Sequence, residues 1–461
     1  MRSNALIDRH GELAKLAAAW KSATEGKPQL AVVWGRRRVG KTFLLAHFAG
    51  KRRAVFFGAT QQSEHIELGR LAEAVRRDLG AGVADLAGGG FRDWEAALRF
   101  CAAVAAEEPL LVVLDEAPYL ARSTPGFASI VQVVWDHLAP GARLMLVLNG
   151  SAVGVMQDML GAHGALRGRP TLRIGLEPVD LPSARAFLPD LTPEAIIEAY
   201  AACGGYPIHL QLWDASLTTR ENLLVLAAEA GGVLREDADG MLREELSSIG
   251  AYRQILAAVG TGATRYAQIA NAAGQRIEHP LGVLVDTGFV TKALPLGAPK
   301  GARPSYQVDD PYLRFWFNVL YSDLALIDAG QGEAVLRRAW PRWQQHLGHV
   351  FEQTARDHAR RLVASRELPG DLAVGRWWSL GNSPVEVDVI GLRGRRTALL
   401  GEAKWRDRPL DGTYLQALRR KLAAVPDPEP APILALWGRQ GVTAQVRAEG
   451  ALGFDAEAMV L

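Results

Sequence analysis

An α/β fold, with a parallel sheet at its N-terminal end and a second strand-bearing α/β domain at its C-terminal end, is predicted by three observations. Over about residues 1–175, short apolar runs alternate with helical stretches, as in a sheet built from right-handed crossovers and covered on both faces. The first apolar run leads into Gly35-Arg36-Arg37-Arg38-Val39-Gly40-Lys41-Thr42, a G-x-x-x-x-G-K-T phosphate loop that opens a helical pattern. The chain then turns wholly helical, and strands return only toward its end.

The 461 residues allow about three domains at roughly 150 residues each. A formal net charge of +2 gives no global footprint for nucleic acid, so any such contact must come from local patches. The two cysteines, Cys101 and Cys203, form no C-x-x-C pair, which argues against a zinc or disulfide framework. No apolar run approaches the roughly 20 residues of a membrane span, and Met1–Ala5 holds no secretory apolar core. A cytoplasmic location and no membrane partner are the expectations.

Five domain segments follow in order. In residues 1–176 the expected strands are Leu30–Trp34, Ala54–Gly58, Leu110–Leu114, Leu144–Leu148 and Thr171–Leu176, preceded by a helix that Asp8 would cap. Residues 177–246 read as a helical lid, broken sharply at Cys203-Gly204-Gly205-Tyr206-Pro207. In 247–310, helices at Tyr252–Gly260, Tyr266–Ala273 and His279–Thr287 precede two short strands around a Gly/Pro-rich loop, the winged-helix pattern. The presumed recognition helix carries few cations, chiefly Arg276, so DNA reading and a protein-binding or structural wing both stay open. Residues 311–342 are an aromatic-rich helical connector expected to pack against the wing. Residues 343–461 begin with a long helix and continue in strands.

The loop Gly35–Thr42 would wrap an anion with its amides, Lys41 reaching the β- and γ-phosphates and Thr42 offering its hydroxyl to Mg²⁺. Asp115 ends the apolar run from Leu110, where it would act on Mg²⁺ through water, and Glu116 would polarise the attacking water. Asn149 and Ser151, after the run Leu144–Leu148, are candidates for sensing the γ-phosphate. Arg169 is the candidate arginine finger, acting in cis or from a second copy in a homo-oligomer. Arg36, Arg37 and Arg38 could face solvent or nucleotide.

These residues carry a resemblance. Asp8-Arg9 with Glu12-Leu13, the phosphate loop, Leu114-Asp115-Glu116, Asn149-Gly150-Ser151, Gly168-Arg169 and Gly204-Gly205-Tyr206-Pro207 resemble the archaeal-type P-loop ATPases grouped with the STAND signalling ATPases, AAA-like proteins. The resemblance implies ATP rather than GTP, an adenine site near Asp8 and Arg9, and a nucleotide contact from the lid at Pro207. Asn149 departs from it, since the family commonly has a small apolar residue or serine there.

A second constellation lies in the tail. Glu386 and Asp388 share one face of a strand, and Glu402 and Lys404 share one face of the next, across a turn expected at Gly391–Arg396. Asp388 and Glu402 would hold Mg²⁺ or Mn²⁺ with the Ala403 carbonyl, Glu352 would point at the same metal from the preceding helix, and Lys404 would orient the water. Gln416 or Lys421 would touch phosphate. Glu352, Asp388, Glu402 and Lys404, in the order helix, strand, strand, resemble the PD-(D/E)xK nuclease superfamily, which implies a restriction-endonuclease-like domain at 343–461. Arg356, Arg360, Arg361, Arg376, Arg395 and Arg396 with Trp377 and Trp378 could line a groove for DNA, or be a solvated face over buried tryptophans. The expectation is an ATPase whose nucleotide state regulates a metal-dependent DNA endonuclease-like domain. The alternative is a signalling or scaffold ATPase whose tail binds DNA or protein without cutting.

Overall fold

Strands β1 (Gln29–Trp34), β2 (Ala54–Gly58), β3 (Leu110–Asp115), β4 (Leu144–Gly150) and β5 (Leu172–Gly175) pair in the order β2-β3-β4-β1-β5. Every pair is parallel. The computed structural model describes residues 6–80, 90–246, 249–299, 301–379 and 385–461. The strands fall where the apolar runs predict, because β3 and β4 are buried along their whole length and only such runs tolerate helices on both faces. β3 reaches Asp115 and β4 reaches Asn149 and Gly150, so two polar side chains, Asp115 and Asn149, emerge at the carboxyl ends of neighbouring strands. Trp94 anchors the core beneath, edge-on to Phe127 at 5.4 Å.

One expectation fails at the start. Asp8 does not cap the first helix, His10–Thr24; Arg9 holds the N-cap position and no side chain caps it. Asp8 and Arg9 both adopt left-handed backbone, φ 63° and 70°, whereas a capping aspartate needs extended geometry to reach the first amides.

This N-terminal part, Met1–Pro178, is one of two compact units, and Val179–Leu461 is the other. The second unit starts with helices Leu181–Arg185, Pro193–Cys203, Pro207–Leu212, Thr219–Leu223 and Val233–Glu245, with no strand among its described residues up to 246. Their starts are legible locally: Asp180, Thr192 and Thr218 accept from the first turn, and Thr218 with Glu221 closes a capping box. Gly204 and Gly205 end Pro193–Cys203 in left-handed backbone, φ 64° and 69°. Helices Ile249–Gly260, Tyr266–Ala273 and Glu278–Asp286 follow, then the antiparallel pair β6 (Thr291–Ala293) and β7 (Ser305–Gln307). The aromatic run after Asp310 is core: Tyr312, Phe315, Trp316 and Phe317 are buried, and Phe315 meets Trp343 of the long helix edge-on at 5.5 Å.

The long helix Gly332–Ala364 packs on a mixed sheet of β8 (Ala373–Trp378), β9 (Glu386–Arg393), β10 (Arg396–Lys404), β11 (Pro428–Gly438) and β12 (Leu452–Phe454). β8, β9 and β10 run antiparallel, and β11 and β12 join parallel to β10. Helix Gly412–Lys421 packs on β10 and β11. The two-period alternation expected in β9 is overridden, because Val387 through Leu392 are all buried. The turn is also tighter than expected: β9 runs to Arg393 and β10 starts at Arg396. Pro384, the expected start of that strand, and residue 247, the expected start of the wing, lie outside the described residues. β12 pairs with β11 only over Ala435–Trp437, so the earlier stretch, with Pro428, Pro430 and Pro432, has a strand neighbour on one side alone.

Candidate functional site

The phosphate loop takes its shape from its sequence. Arg38 and Gly40 stand in left-handed backbone, φ 70° and 95°, which turns successive amides toward one concavity. Gly40 is the N-cap of Lys41–Ala49, so the helix start adds its partial positive charge there. Lys41 is buried and its Nζ donates to the Arg36 carbonyl at 3.1 Å, folding back over the loop. Gly35 and Val39 are buried, Arg36 and Arg38 are half-buried, and Arg37 is exposed.

Thr42 meets Asp115 across the sheet's edge, its Oγ1 donating to Oδ2 at 2.8 Å. Asn149 occupies the other oxygen, its Nδ2 donating to Asp115 Oδ1. The Asn149 Oδ1 is itself buried with no hydrogen-bond partner among the described residues. Glu116 has left-handed backbone, φ 58°, and its carboxylate accepts from the Ser151 amide at 3.1 Å and the Ser151 Oγ at 2.8 Å. Sequence reasoning named all five residues but not these pairings. A hydroxyl and a carboxylate on adjacent elements form an oxygen donor set suited to Mg²⁺, and the turned amides with Lys41 fit a triphosphate.

Arg169 lies apart in its contacts. Its guanidinium forks onto Asp136 at 2.9 and 2.8 Å and also donates to the Ala165 carbonyl at 3.1 Å. Arg9 is a brace that sequence reasoning missed. It is buried and donates to the Val39 carbonyl at 3.3 Å and the Glu177 carbonyl at 2.6 Å, tying the loop to the chain beyond β5. Only its place ahead of the first helix hinted at this. Pro207 opens helix Pro207–Leu212 in the second unit.

In the tail, Lys404 draws two carboxylates together. Its Nζ lies 3.0 Å from Asp388 Oδ2 and 2.7 Å from Glu402 Oε1. The Ala403 amide also donates to Asp388 Oδ2 at 3.0 Å, and Arg356 to the Asp388 carbonyl at 3.1 Å. Burial alone would lower the Lys404 pKa, but Asp388 and Glu402 hold it above the ordinary lysine value. Lys421 pairs with the second Glu402 oxygen and so faces the cluster instead of phosphate. The expected three-carboxylate metal set is not assembled: among the described residues no three His, Cys, Asp or Glu side chains are grouped to hold an ion. Lysine ammonium groups take the oxygen lone pairs instead. Trp377 and Trp378 are buried rather than exposed for stacking, Arg360 pairs with Asp357, and Arg361 donates to the Met459 carbonyl.

Glu352 carries a measurable consequence. Burial, then Asp388, pushes its carboxyl up to about 7, against the pull of Lys404. An unfolded glutamate titrates near 4.5. The native state therefore keeps a proton that the unfolded state has lost, and stability falls as pH rises from about 4.5 to about 7. The expected loss is on the order of 3 kcal/mol, constant at higher pH. Glu352→Gln is expected to flatten this slope in urea unfolding followed across that range. An unchanged slope would remove Glu352 as its source.

A parallel sheet with Lys41, Thr42, Asp115 and Glu116 at its carboxyl edge defines a P-loop ATPase fold. The family described as an ATPase domain predominantly from Archaea matches residues 6–212, and these residues are an archaeal-type ATPase domain. DUF234, described as archaeal and bacterial proteins of unknown function, matches residues 316–417. An uncharacterized protein of Methanocaldococcus jannaschii is 26% identical over 408 residues, covering 87% of this chain and 88% of that one. A Walker-type ATPase of Pyrococcus abyssi superposes with a TM-score of 0.51 at 19% identity, over 68% of this chain and 97% of that chain, and so shares its fold. No helix among the described residues is long and apolar enough to cross a membrane.

Proposed function

We propose that this protein binds and hydrolyses ATP with Mg²⁺, and that its nucleotide state governs a metal-dependent, nuclease-like tail acting on DNA. The nucleotide half rests on the Thr42–Asp115 contact at 2.8 Å beside the buried Lys41. Lys41 and the amides of Gly35–Thr42 hold the phosphates, while Thr42 and Asp115 hold the cation. Mg²⁺ supplies charge neutralisation at the transferred phosphoryl group. Glu116 orients the attacking water, and Ser151 fixes where its carboxylate points. Asn149 holds Asp115 in register. Arg169 acts as a finger only after leaving Asp136. Asp8 and Arg9 border the adenine.

The domains in this reading are 1–176, 177–246, 247–310 as a winged helix, 311–342, and 343–461 as a PD-(D/E)xK nuclease-like domain. The nuclease half is supported by the convergence of Asp388, Glu402 and Lys404 on adjoining strands, with Glu352 near enough for Asp388 to raise its pKa. A second reading, a tail that binds DNA or protein without cutting, is favoured by the two lysines that already neutralise Asp388 and Glu402.

Plasmid cleavage decides between them. The protein is incubated with Mg²⁺ or Mn²⁺, with and without ATP, beside Asp388→Ala and Lys404→Ala. The nuclease reading expects nicking that both variants lose by about a hundredfold or more. Absence of cleavage with either metal would leave the binding reading.

A further inference from the structure

The tail holds a cavity that shares no residue with the Asp388–Lys404 cluster. Its volume is about 370 Å³, within the range of small-molecule sites. Three elements line it. His358, Arg361 and Leu362 come from the last turns of Gly332–Ala364, with Ser365 and Glu367 just beyond that helix. Phe454 comes from β12, and Ala458 from the short helix Ala456–Val460.

His358 brings an unmet donor to this cavity. The residue is 5% exposed, and its Nδ1 accepts from the Trp437 Nε1 at 2.9 Å. A ring nitrogen that accepts carries no proton, so in the neutral imidazole the proton sits on Nε2. Burial, then Arg361, pushes the ring's pKa down to about 4, against Glu367 and Asp455, so the neutral form holds at pH 7. No group among the described residues accepts from Nε2. A buried donor left unpaired is costly, which points to an acceptor inside the cavity.

Arg361 adds further donors on the same wall. Its Nη2 donates to the Met459 carbonyl at 2.6 Å, and its Nε and Nη1 make no hydrogen bond among the described residues. Asp180 and Asp357 act on its charge without closing an ion pair. Glu367 brings the opposite sign. It is exposed, and its Oε1 accepts from the Ser365 Oγ at 2.8 Å, which leaves Oε2 open. Leu362, Phe454 and Ala458 supply apolar wall.

We infer that this cavity binds a free α-amino acid with an apolar side chain. The carboxylate of the ligand takes the His358 Nε2 proton and the spare donors of Arg361, whose planar fork suits it. The ammonium faces Glu367, and the side chain lies on Leu362, Phe454 and Ala458. A simple anion would meet the donors but also the charges of Glu367 and Asp455, which both reach the His358 ring. A zwitterion answers both signs. The inference rests on neither half of the reading above.

The test uses the full chain without nucleotide or metal. L-leucine, L-valine and L-phenylalanine are titrated by calorimetry up to about 10 mM. At least one is expected to bind. Its amide, which lacks the carboxylate, and the matching acid without the ammonium are each expected to bind about tenfold more weakly. His358→Phe keeps the bulk of the ring, removes the donor and is expected to weaken binding about tenfold. Should that variant fold poorly, because Trp437 loses its acceptor, Ala458→Leu fills the cavity and leaves every side-chain hydrogen bond in place. It is expected to weaken binding about tenfold or more. No binding of any of the three amino acids overturns the inference. Parent affinity in Ala458→Leu, or equal affinity for the amino acid and either analogue, overturns it as well.

Discussion

Lys41→Ala is expected to abolish ATP turnover, lowering kcat by about a hundredfold to a thousandfold. That is the usual cost of removing one donor aimed at developing charge. The expectation follows from how the side chain is held. Lys41 is 5% exposed, and its ammonium folds back to the Arg36 carbonyl at 3.1 Å, across the turn that Gly40 makes possible. Alanine would remove the charge and leave that carbonyl without its donor. Phosphate release measures turnover, and labelled ATP retained on a filter measures binding. Turnover at the parent rate would show that hydrolysis belongs elsewhere. Lys404→Ala, in the other unit, serves as the comparison, since loss in both variants would deny the independence of the two clusters.

Gly205→Ala is expected to destabilise the second unit by about 3 kcal/mol. Two separate terms add. A left-handed residue with a side chain costs about 1–2 kcal/mol, and an added Cβ would stand 2.1 Å from the Val179 carbonyl oxygen. That neighbour is backbone and cannot rotate away, and the Val179 amide is itself bonded to the Gly205 carbonyl at 2.9 Å. Urea unfolding of the variant beside the parent measures the loss. A midpoint within error of the parent would mean that the turn yields more easily than its geometry requires. The neighbouring Gly204 is fixed differently, since a Cβ there would meet the Tyr312 Cβ at 2.6 Å. Left-handed backbone and close packing together account for both glycines of the Gly-Gly-Tyr-Pro turn.

Local physics decided what could be read in advance. The strands of the first sheet were legible because a continuous apolar run between turn residues has few alternatives. The loop Gly35–Thr42 and the pair Asp115-Glu116 were legible because each lies in a short stretch whose neighbours declare its context. The pairings were not. That Asn149 donates to Asp115, or that Ser151 holds Glu116, depends on strand order, which no single stretch carries. Arg9 braces a carbonyl 168 positions away, and its left-handed backbone defeated the capping role that composition gave to Asp8. In the tail, the strand spacing correctly joined Asp388 to Glu402 and Lys404. It could not reveal that Lys421, arriving from the next helix, would settle on Glu402.

The three prolines spaced by two along the start of β11 bring no amide hydrogens to that stretch of the sheet. A rim lacking every second donor is a poor template for an incoming strand. The ion pair between Glu429 and Arg393 at 2.8 Å adds charge at the same place. The tail sheet is thereby guarded against fibrous self-association where β12 stops short.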